Sequence, residues 1–485
     1  MKKISLCPQV RQFFLAGMLC LTLSACGKTE PPASTENLSV SPASQAESSL
    51  QAGDSSRQDS VTPQDSVPQS DGVFRQPDAS DDTSRKPGTF DSASWQPGAS
   101  DSASRQPDAS DNQPPVSPTP EPAPEITLVM VGDILLHTPV AESGLREDGS
   151  YDFSAVFSHM KEEISAADLA LVNQEVILGG TELGISGYPA FNAPYELGDA
   201  LADAGFDVAL HATNHALDKG AKGILNCLSF WEENHPGIAV LGIHDSAEDQ
   251  DEIYVYEQDG IRIAILNYTY GTNGIPLPQG MDYAVDGLSD LDRIAEDLRR
   301  AEEMADFTIV CPHWGTEYRL TPDAGQDKLS QFFWENGADL VLGTHPHVIE
   351  PVAWVTAEGI QTCDLTEQET DQGISLIGNG IQDGMLVYYS LGNFVNWTSG
   401  TGDGVANRMV GGMAKVTLGL DEDGKVSIKE YGMEPLICHV EEGTDGVTVY
   451  PLYEYTEELA GKNAIRLQDG NFSLRYCRDL VERVW

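Results

Sequence analysis

The chain has 485 residues, a length that accommodates two or three domains of average size, or one large domain with additional segments. Acidic residues outnumber basic residues by 76 to 28, which gives a formal net charge of −48 and an isoelectric point near 4.2. This balance argues against a nucleic-acid partner and against a polybasic membrane contact, because both need a basic surface.

The N-terminus has the parts of an export signal in the expected order. Lys2, Lys3 and Arg11 supply positive charge, and the apolar run 13–23 is too short for a comfortable membrane span. Small residues follow and lead directly to Cys26, an arrangement that resembles the bacterial lipoprotein signal. We expect residues 1–26 to be a lipoprotein signal and the mature protein to be extracytoplasmic, anchored by acyl chains on Cys26. Ordinary cleavage, which would leave Cys26 as a spare thiol, is the alternative.

Residues 27–124 are rich in Ser, Pro, Asp, Gln and Ala and carry a ten-residue repeat, seen at 75–81, 95–101 and 105–111. Such a unit buries too little apolar area to offset the entropy of ordering it. We therefore predict a disordered tether with a root-mean-square span of about 50–60 Å, which would carry the following domain away from the membrane.

From residue 125 onward, short apolar runs alternate with helical patterns. The predicted strands lie at 126–131, 169–172, 208–210, 238–241, 261–266, 307–311 and 340–342, and the predicted helices at 153–167, 195–204, 217–233, 288–305 and 326–336. This alternation indicates an α/β domain with a central sheet covered by helices on both faces.

After residue 347 the pattern becomes rich in predicted strands. Strands are expected at 348–355 and 385–389, on either side of a polar insertion at about 357–383. We assign residues 125–400 to the main domain and residues 401–485 to a β-rich extension packed on it. The extension contains an expected antiparallel pair at 411–420 and 426–431.

Polar side chains follow five of the predicted strands. They are Asp133, Asn173, Glu175, Asn214, His215, His313, His345 and His347. Ligands of open α/β sheets bind at the carboxyl ends of the strands, so we expect these groups to meet at one edge. Each residue alone also fits a turn, a helix cap or a satisfied core histidine. Their joint placement favours a shared metal site.

The chemistry of the set suits divalent metal ions. Carboxylate, amide and imidazole groups together are typical ligands of Mn, Fe or Zn. The set exceeds the needs of a single tetrahedral zinc ion and is large enough for two ions that share a bridging hydroxide. At 340–347, an apolar run enters Gly343 and ends in His-Pro-His. Pro346 favours an extended His345, which would point the imidazoles of His345 and His347 to the same face.

Six short motifs together resemble the CapA family of bacterial capsule and poly-γ-glutamate synthesis proteins. They are Gly132-Asp133, Asn173-Gln174-Glu175, Thr213 to Asp218, His313-Trp314-Gly315, Gly343 to His347 and Ser390 to Phe394. That family is similar in fold to the calcineurin-like metallophosphatases. The resemblance implies a four-layer α/β/β/α sandwich with two packed sheets instead of one.

The resemblance also implies roles for individual residues. The implied metal ligands are Asp133, Glu175, Asn214, His313, His345 and His347. His215 is the implied general acid or transition-state stabiliser. We also assign substrate binding to Asn173, Trp314 and Asn393. Leu135 stands where metallophosphatases often have a histidine, and Ala216 stands where the catalytic histidine often has an acidic neighbour. We leave the nearby His137 out of the ligand set.

We expect a metal-dependent hydrolase or transferase that acts on a cell-envelope polymer or a phosphoester. The expected partner is an anionic capsule polymer or its synthase complex. A non-catalytic accessory or polymer-binding subunit of that complex is the alternative, and a solute-binding lipoprotein is a third option that leaves the histidines unexplained. The five cysteines after Cys26 match no disulfide or zinc framework, so we expect mostly free or buried thiols and at most two disulfides.

Overall fold

The structure is a computed structural model that describes residues 123–370 and 373–485. The predicted lipoprotein signal with Cys26, and the predicted tether up to residue 122, lie outside the described residues. Within the described ranges, no helix has both the length and the apolar character that crossing a bilayer requires.

Seventeen strands and nine α-helices are assigned in the described ranges. The strands are β1 Glu125–Leu135, β2 Leu169–Asn173, β3 Val208–Leu210, β4 Ala239–Leu241, β5 Tyr254–Gln258, β6 Ile261–Thr269, β7 Phe307–His313, β8 Leu340–Leu342, β9 Val352–Thr356, β10 Gly359–Thr362, β11 Leu365–Thr370, β12 Gly373–Gly378, β13 Met385–Tyr388, β14 Asn393–Asn396, β15 Val410–Leu420, β16 Val426–Val440 and β17 Val447–Pro451. The helices are α1 Thr138–Gly144, α2 Lys161–Ala166, α3 Tyr195–Ala204, α4 Gly220–Asn234, α5 Ala247–Gln250, α6 Leu291–Met304, α7 Ala324–Glu335, α8 Glu457–Lys462 and α9 Leu474–Val484.

The strands form two mixed sheets. The ten-stranded sheet has the order β11-β12-β16-β15-β1-β2-β3-β4, with β14 beside β1 and β17 beside β16. The seven-stranded sheet has the order β10-β9-β13-β8-β7-β6-β5. The strands β1 to β4 are parallel neighbours, as are β6, β7 and β8, so helices must cross over between them. The carboxyl ends of these two parallel sets carry the polar motifs.

Alternation along the strands of the second sheet separates two apolar layers. Ile263 and Ile265 of β6 join the large core shared with the first sheet and its helices α3 and α4. Ala264 and Leu266, the residues between and after them, join a second core that contains the buried face of α6. Successive residues of a strand point to opposite faces, so this sheet is covered on both sides. The four-layer α/β/β/α sandwich implied by the resemblance is confirmed.

Several predicted elements need correction. The predicted helix 153–167 is a 3-10 helix, Ser154–Phe157, followed by the short α2. The polar insertion 357–383 contains β10, β11 and β12, and β12 pairs with β16 through Leu376 and Met433. Many of its described side chains are exposed, so the insertion lacks the apolar pattern that marks a buried strand. In contrast, the predicted helix 195–204 matches α3 at both ends.

The C-terminal extension forms part of the first sheet. Strand β15 lies antiparallel to β1 along its length, from Glu125 opposite Gly419 to Val131 opposite Met413. The extension also contains α8 and α9, which the sequence analysis did not predict. The five cysteines within the described ranges are free thiols, and four of them are buried.

Candidate metal centre

Strand β1 carries Asp133 near its carboxyl end, at the edge of the sheets where the other polar motifs lie. Asp133 lies inside β1, beside an irregularity of the strand, so the prediction that it follows the strand is wrong. The chain passes very close to the turn before β14 at this point, and a Cβ on Gly132 would lie 1.9 Å from the carbonyl oxygen of Gly392. Glycine at position 132 therefore allows β1 and β14 to lie side by side, with Asp133 opposite Asn393.

The carboxylate of Asp133 is fully buried and joins three segments of the chain. Asn173 Nδ2 donates to Asp133 Oδ1 over 2.8 Å, and the backbone N–H of His345 donates to the same carboxylate over 3.3 Å. His347 Nδ1 lies 3.1 Å from Asp133 Oδ2. Asp133 thus positions the His-Pro-His segment relative to β1 and β2.

Glu175 occupies the middle of the cluster. Its side chain is buried, and neither carboxylate oxygen has a hydrogen-bond partner in the described ranges. Oε1 lies 3.8 Å from His313 Nε2 and 3.7 Å from His347 Nε2. Ligand atoms of Glu175, His345 and His347 all lie within 4.8 Å of one another, a spacing that suits a shared ion.

His313 ends β7 and contacts groups from two other segments. Its Nδ1 lies 3.0 Å from the hydroxyl of Thr344, and its Nε2 lies 3.0 Å from Asn214 Oδ1. The rings of His313 and His345 are 4.8 Å apart between centroids. The predicted ligands Asn214, His313 and His345 therefore lie together. The hydroxyl of Thr344, a residue given no role from the sequence, contacts the imidazole of His313.

The His-Pro-His backbone is not extended, contrary to the prediction. His345 has φ of 98° and His347 has φ of 58°, both in the region that L-residues rarely adopt. The two rings nevertheless lie together, with centroids 5.7 Å apart. The bonds of Asp133 to the His345 backbone and the His347 ring hold the segment in this conformation. Such unfavourable backbone geometry costs about 1–3 kcal/mol per residue and is concentrated at functional sites.

His215 forms a dyad with a carboxylate beside the cluster. Its Nδ1 lies 2.6 Å from Asp218 Oδ2, and the same oxygen accepts a hydrogen bond from the Phe191 backbone N–H over 2.7 Å. In the sequence, Ala216 follows His215 where an acidic neighbour is common among metallophosphatases. Asp218 supplies that carboxylate from two residues further along the chain, because the intervening turn brings it back under the imidazole.

The buried charges of the cluster perturb one another. Burial raises the pKa of Glu175 well above its usual value, with an opposing effect from His347 and a further increase from Asp133. Burial alone would lower the pKa of His347, but Glu175 and Asp133 raise it to about 9. Burial and then neighbouring imidazoles hold the pKa of His313 and of His345 well below the usual range, so both rings are neutral.

The residues assigned to substrate binding take other places. Trp314 follows His313 and points to the opposite face of the sheet, where it packs on Phe333 and donates to the carbonyl of Tyr389 over 2.9 Å. It is a core residue, and the substrate-binding prediction for it is wrong. The strand period of two residues is a signal that would have placed it correctly.

Asn393 and Asn173 are buried and act on other residues of the cluster. Asn393 Nδ2 donates to the carbonyls of His347 and Arg408, and its Oδ1 lies 3.1 Å from His347 Nδ1. Asn393 therefore holds the ring of the predicted ligand His347, and its role in substrate binding stays a prediction. Asn173 donates to Asp133 and keeps a buried, unpaired Oδ1 that is available to the site.

Two exposed tyrosines and His137 border the centre without having been predicted. The Tyr270 ring is tilted against that of His345, with centroids 4.5 Å apart, and the Tyr318 ring lies 6.0 Å from that of His347. Burial, followed by His347, Arg408 and His215, lowers the pKa of His137 to about 3, so this ring is a neutral neighbour of the site. His137 stays outside the ligand set, as expected from the sequence, and no periodicity or motif marks the two tyrosines as site neighbours.

The donor set fits divalent metal. The buried set provides two carboxylates, one amide oxygen and three imidazoles, from Asp133, Glu175, Asn214, His313, His345 and His347. Such groups together are typical ligands of Mn, Fe or Zn. Both oxygens of Glu175, as well as His345 Nδ1, are buried without a hydrogen bond. Buried polar atoms are normally paired, and a cation would satisfy these donors together.

A family model described as bacterial capsule synthesis protein PGA_cap matches residues 127–398, more than half of the chain. The chain belongs to this family. The match spans β1 to the segment after β14 and therefore includes every predicted metal ligand. The resemblance stated from the sequence is confirmed.

Two curated relatives in the same family are similar in sequence. The chain is 28% identical over 290 residues to the capsule biosynthesis protein CapA of Bacillus anthracis, covering 56% of this chain and 61% of the relative. It is 27% identical over 212 residues to the PGA biosynthesis protein CapA of Bacillus subtilis strain 168, covering 41% and 45%. The chain thus spans less than two thirds of the length of either relative.

Among solved structures, the NAD nucleotidase NadN of Haemophilus influenzae is 13% identical to this PGA_cap member. The alignment covers 75% of this chain and 67% of the nucleotidase, with a TM-score of 0.37. The name refers to that enzyme alone, and a similarity with this TM-score says nothing about the activity of this chain.

Proposed function

We propose that this chain is a metal-dependent hydrolase or transferase that acts on a cell-envelope polymer or a phosphoester. The observation that carries the proposal is the buried carboxylate of Glu175, which lies under 4 Å from two imidazoles and has no hydrogen-bond partner in the described ranges. An unpaired buried carboxylate is costly unless a proton or a cation compensates it. A site built around such a group is suited to a divalent ion.

The ligands fall into two groups around Glu175. Asp133 and His347 are in mutual contact on one side, and Asn214 and His313 are neighbours on the other. His345 lies near both His313 and His347. Two bound ions would supply an activated water and stabilisation of developing negative charge. Glu175 is placed to serve both groups, and Asn173 and Asn393 hold Asp133 and His347 in position.

His215 is suited to proton transfer. A hydrogen bond from Nδ1 to Asp218 fixes the tautomer and the ring orientation, which leaves Nε2 to hold or donate a proton. The dyad lies next to the ligand Asn214 in the chain, so a leaving group bound at the centre would be close to it. We therefore propose that His215 protonates the leaving group and that Asp218 positions it.

Metal analysis and kinetics on three variants test the proposal. His345→Ala and His347→Ala should lower metal content and turnover together, because each removes a ligand. His215→Ala should keep the metal and lose turnover. The assay is elemental analysis of the purified chain, with a substrate panel of phosphomonoesters, phosphodiesters and γ-glutamyl oligomers. If His215→Ala strips metal as completely as His345→Ala does, the role of His215 is wrong. Unchanged metal content in all three variants would overturn the proposal.

A second candidate function is a non-catalytic subunit that binds the polymer or the synthase complex. Leu135 favours it, because this buried apolar side chain stands where metallophosphatases often have a histidine and leaves the Asp133 side with fewer ligands. Metal-loaded wild-type protein that binds the polymer but turns over no member of the panel would support this function.

We also propose that the protein acts outside the cytoplasm as a lipoprotein anchored through Cys26, near an anionic envelope polymer or its synthase complex. The order of charged, apolar and small residues before Cys26 supports this location. Labelled fatty acid should be incorporated into the wild type and not into Cys26→Ser. Absence of label from the wild type would remove the lipid anchor from the proposal.

A further inference from the structure

An arginine and a tyrosine stand at the mouth of the metal centre. The guanidinium carbon of Arg408 lies 3.6 Å from the centroid of the Tyr318 ring. The Tyr318 backbone N–H donates to the carbonyl of Pro346, the central residue of the His-Pro-His segment, over 2.7 Å. Tyr318 is 45% exposed, and its ring lies 6.0 Å from that of His347. The stacked pair therefore lies between solvent and the ligand His347.

Arg408 lacks the carboxylate contacts that other arginines make within the described ranges. Across residues 123–370 and 373–485, the guanidinium makes no ion pair, although arginines elsewhere, such as Arg262 and Arg299, pair with carboxylates. Its Nε is buried without a hydrogen-bond partner, and its hydrogen bond from Nη1 to Thr398 Oγ1 is long, at 3.4 Å. In a chain with a net charge of −48, an unpaired cation beside a metal centre favours an anionic ligand.

The C-terminal extension fixes the position of Arg408. Arg408 belongs to the 3-10 helix Val405–Met409, whose first turn is held by the buried carboxylate of Asp469 through the backbone N–H groups of Gly404 and Ala406. The carbonyl of Arg408 accepts a hydrogen bond from Asn393 Nδ2 over 3.0 Å, and Asn393 Oδ1 lies 3.1 Å from His347 Nδ1. One asparagine therefore couples the position of the arginine to that of a metal ligand.

We propose that Arg408, stacked on Tyr318, forms an anion subsite that binds a carboxylate or phosphoryl group of the substrate beside the metal centre. The assignment of this group to a substrate rests on the proposed function. A guanidinium forms a planar fork that matches both anions with two parallel hydrogen bonds, and stacking on an aromatic ring keeps the plane fixed while its edge stays available. The subsite would select for substrates with an anion a short distance from the bond that reacts.

Anion binding to the full chain, stripped of metal by dialysis, tests the subsite without relying on turnover. Two probes, inorganic phosphate and γ-glutamyl-glutamate, are titrated calorimetrically to distinguish a phosphoryl from a carboxylate source. The wild type should bind at least one probe, and Arg408→Met should weaken that binding by roughly 10- to 100-fold. Arg408→Lys keeps the charge but loses the fork, and it should weaken binding by about 10-fold.

Arg475→Met is the matched control, because it removes the same charge from a side chain that is 86% exposed and paired with Asp479. It should leave the affinity unchanged. Equal weakening by Arg475→Met, no effect of Arg408→Met, or no binding of either probe to the wild type would overturn the subsite. Metal content and turnover of the wild type are measured separately. If both are absent while the Arg408 dependence persists, the proposed function fails and the subsite stands.

Discussion

Replacing Glu175 by glutamine should change stability in opposite directions with and without metal. In metal-free protein, the buried carboxylate has no hydrogen-bond partner in the described ranges, and leaving such a group unsatisfied costs about 1–3 kcal/mol. A neutral amide of nearly the same shape avoids that cost and can donate to a neutral imidazole nearby. We therefore expect Glu175→Gln to be more stable than the wild type after metal removal, by roughly 2–4 °C in Tm for a domain of this size.

The metal-loaded proteins should show the reverse order. At a free metal concentration of 100 times Kd, binding stabilises the wild type by about 2.7 kcal/mol. If the substitution weakens binding about 100-fold, the variant gains only about 0.4 kcal/mol at the same concentration. Thermal unfolding with Mn²⁺ or Zn²⁺, compared with metal-stripped samples, measures both differences. A variant that is less stable without metal, yet has the same metal-induced increase in Tm as the wild type, would refute the central role of Glu175.

Three further predictions follow from particular contacts. Asp218→Asn should retain the metal and lower turnover by about 100-fold, because His215 loses the carboxylate that orients it; unchanged kinetics would remove Asp218 from the mechanism. Burial lowers the pKa of His244, but hydrogen bonds to Asp249 and Asp286 raise it to about 9. The protonated ring therefore contributes its full stabilisation of the fold below pH 6.5, and this contribution is lost as the pH rises through 9. His244→Gln should flatten the fall of Tm between pH 7 and 10, and a slope equal to that of the wild type would exclude His244 as its cause. Gly343→Ala should lower Tm by several degrees, because its Cβ would lie 2.2 Å from the carbonyl oxygen of Tyr389, and an unchanged Tm would show that the turn relaxes freely.

The agreement between sequence and structure is best where the pattern is local. Helix α3 and strand β3 match their predicted bounds, because local signals mark both. Apolar periodicity and the terminal Gly205 specify α3, and a short apolar run specifies β3. Agreement is poorest in the insertion that holds β10 to β12. Those strands are stabilised by pairing with each other and with distant β16, so their own composition does not show a buried face.

The sequence by itself determined most of the strands and helices between residues 125 and 347 and the types of ligand that accompany the strands. Hydrophobic periodicity and short motifs are properties of neighbouring residues. The tertiary structure decided how those ligands are held. Asp133 and His347 are 214 residues apart, and the bonds of this carboxylate, not the proline, set the His-Pro-His conformation. Pairing Asp218 with His215 and stacking Arg408 on Tyr318 likewise depend on how turns and distant segments pack. Such contacts follow from the shape of the whole domain, which no local pattern encodes.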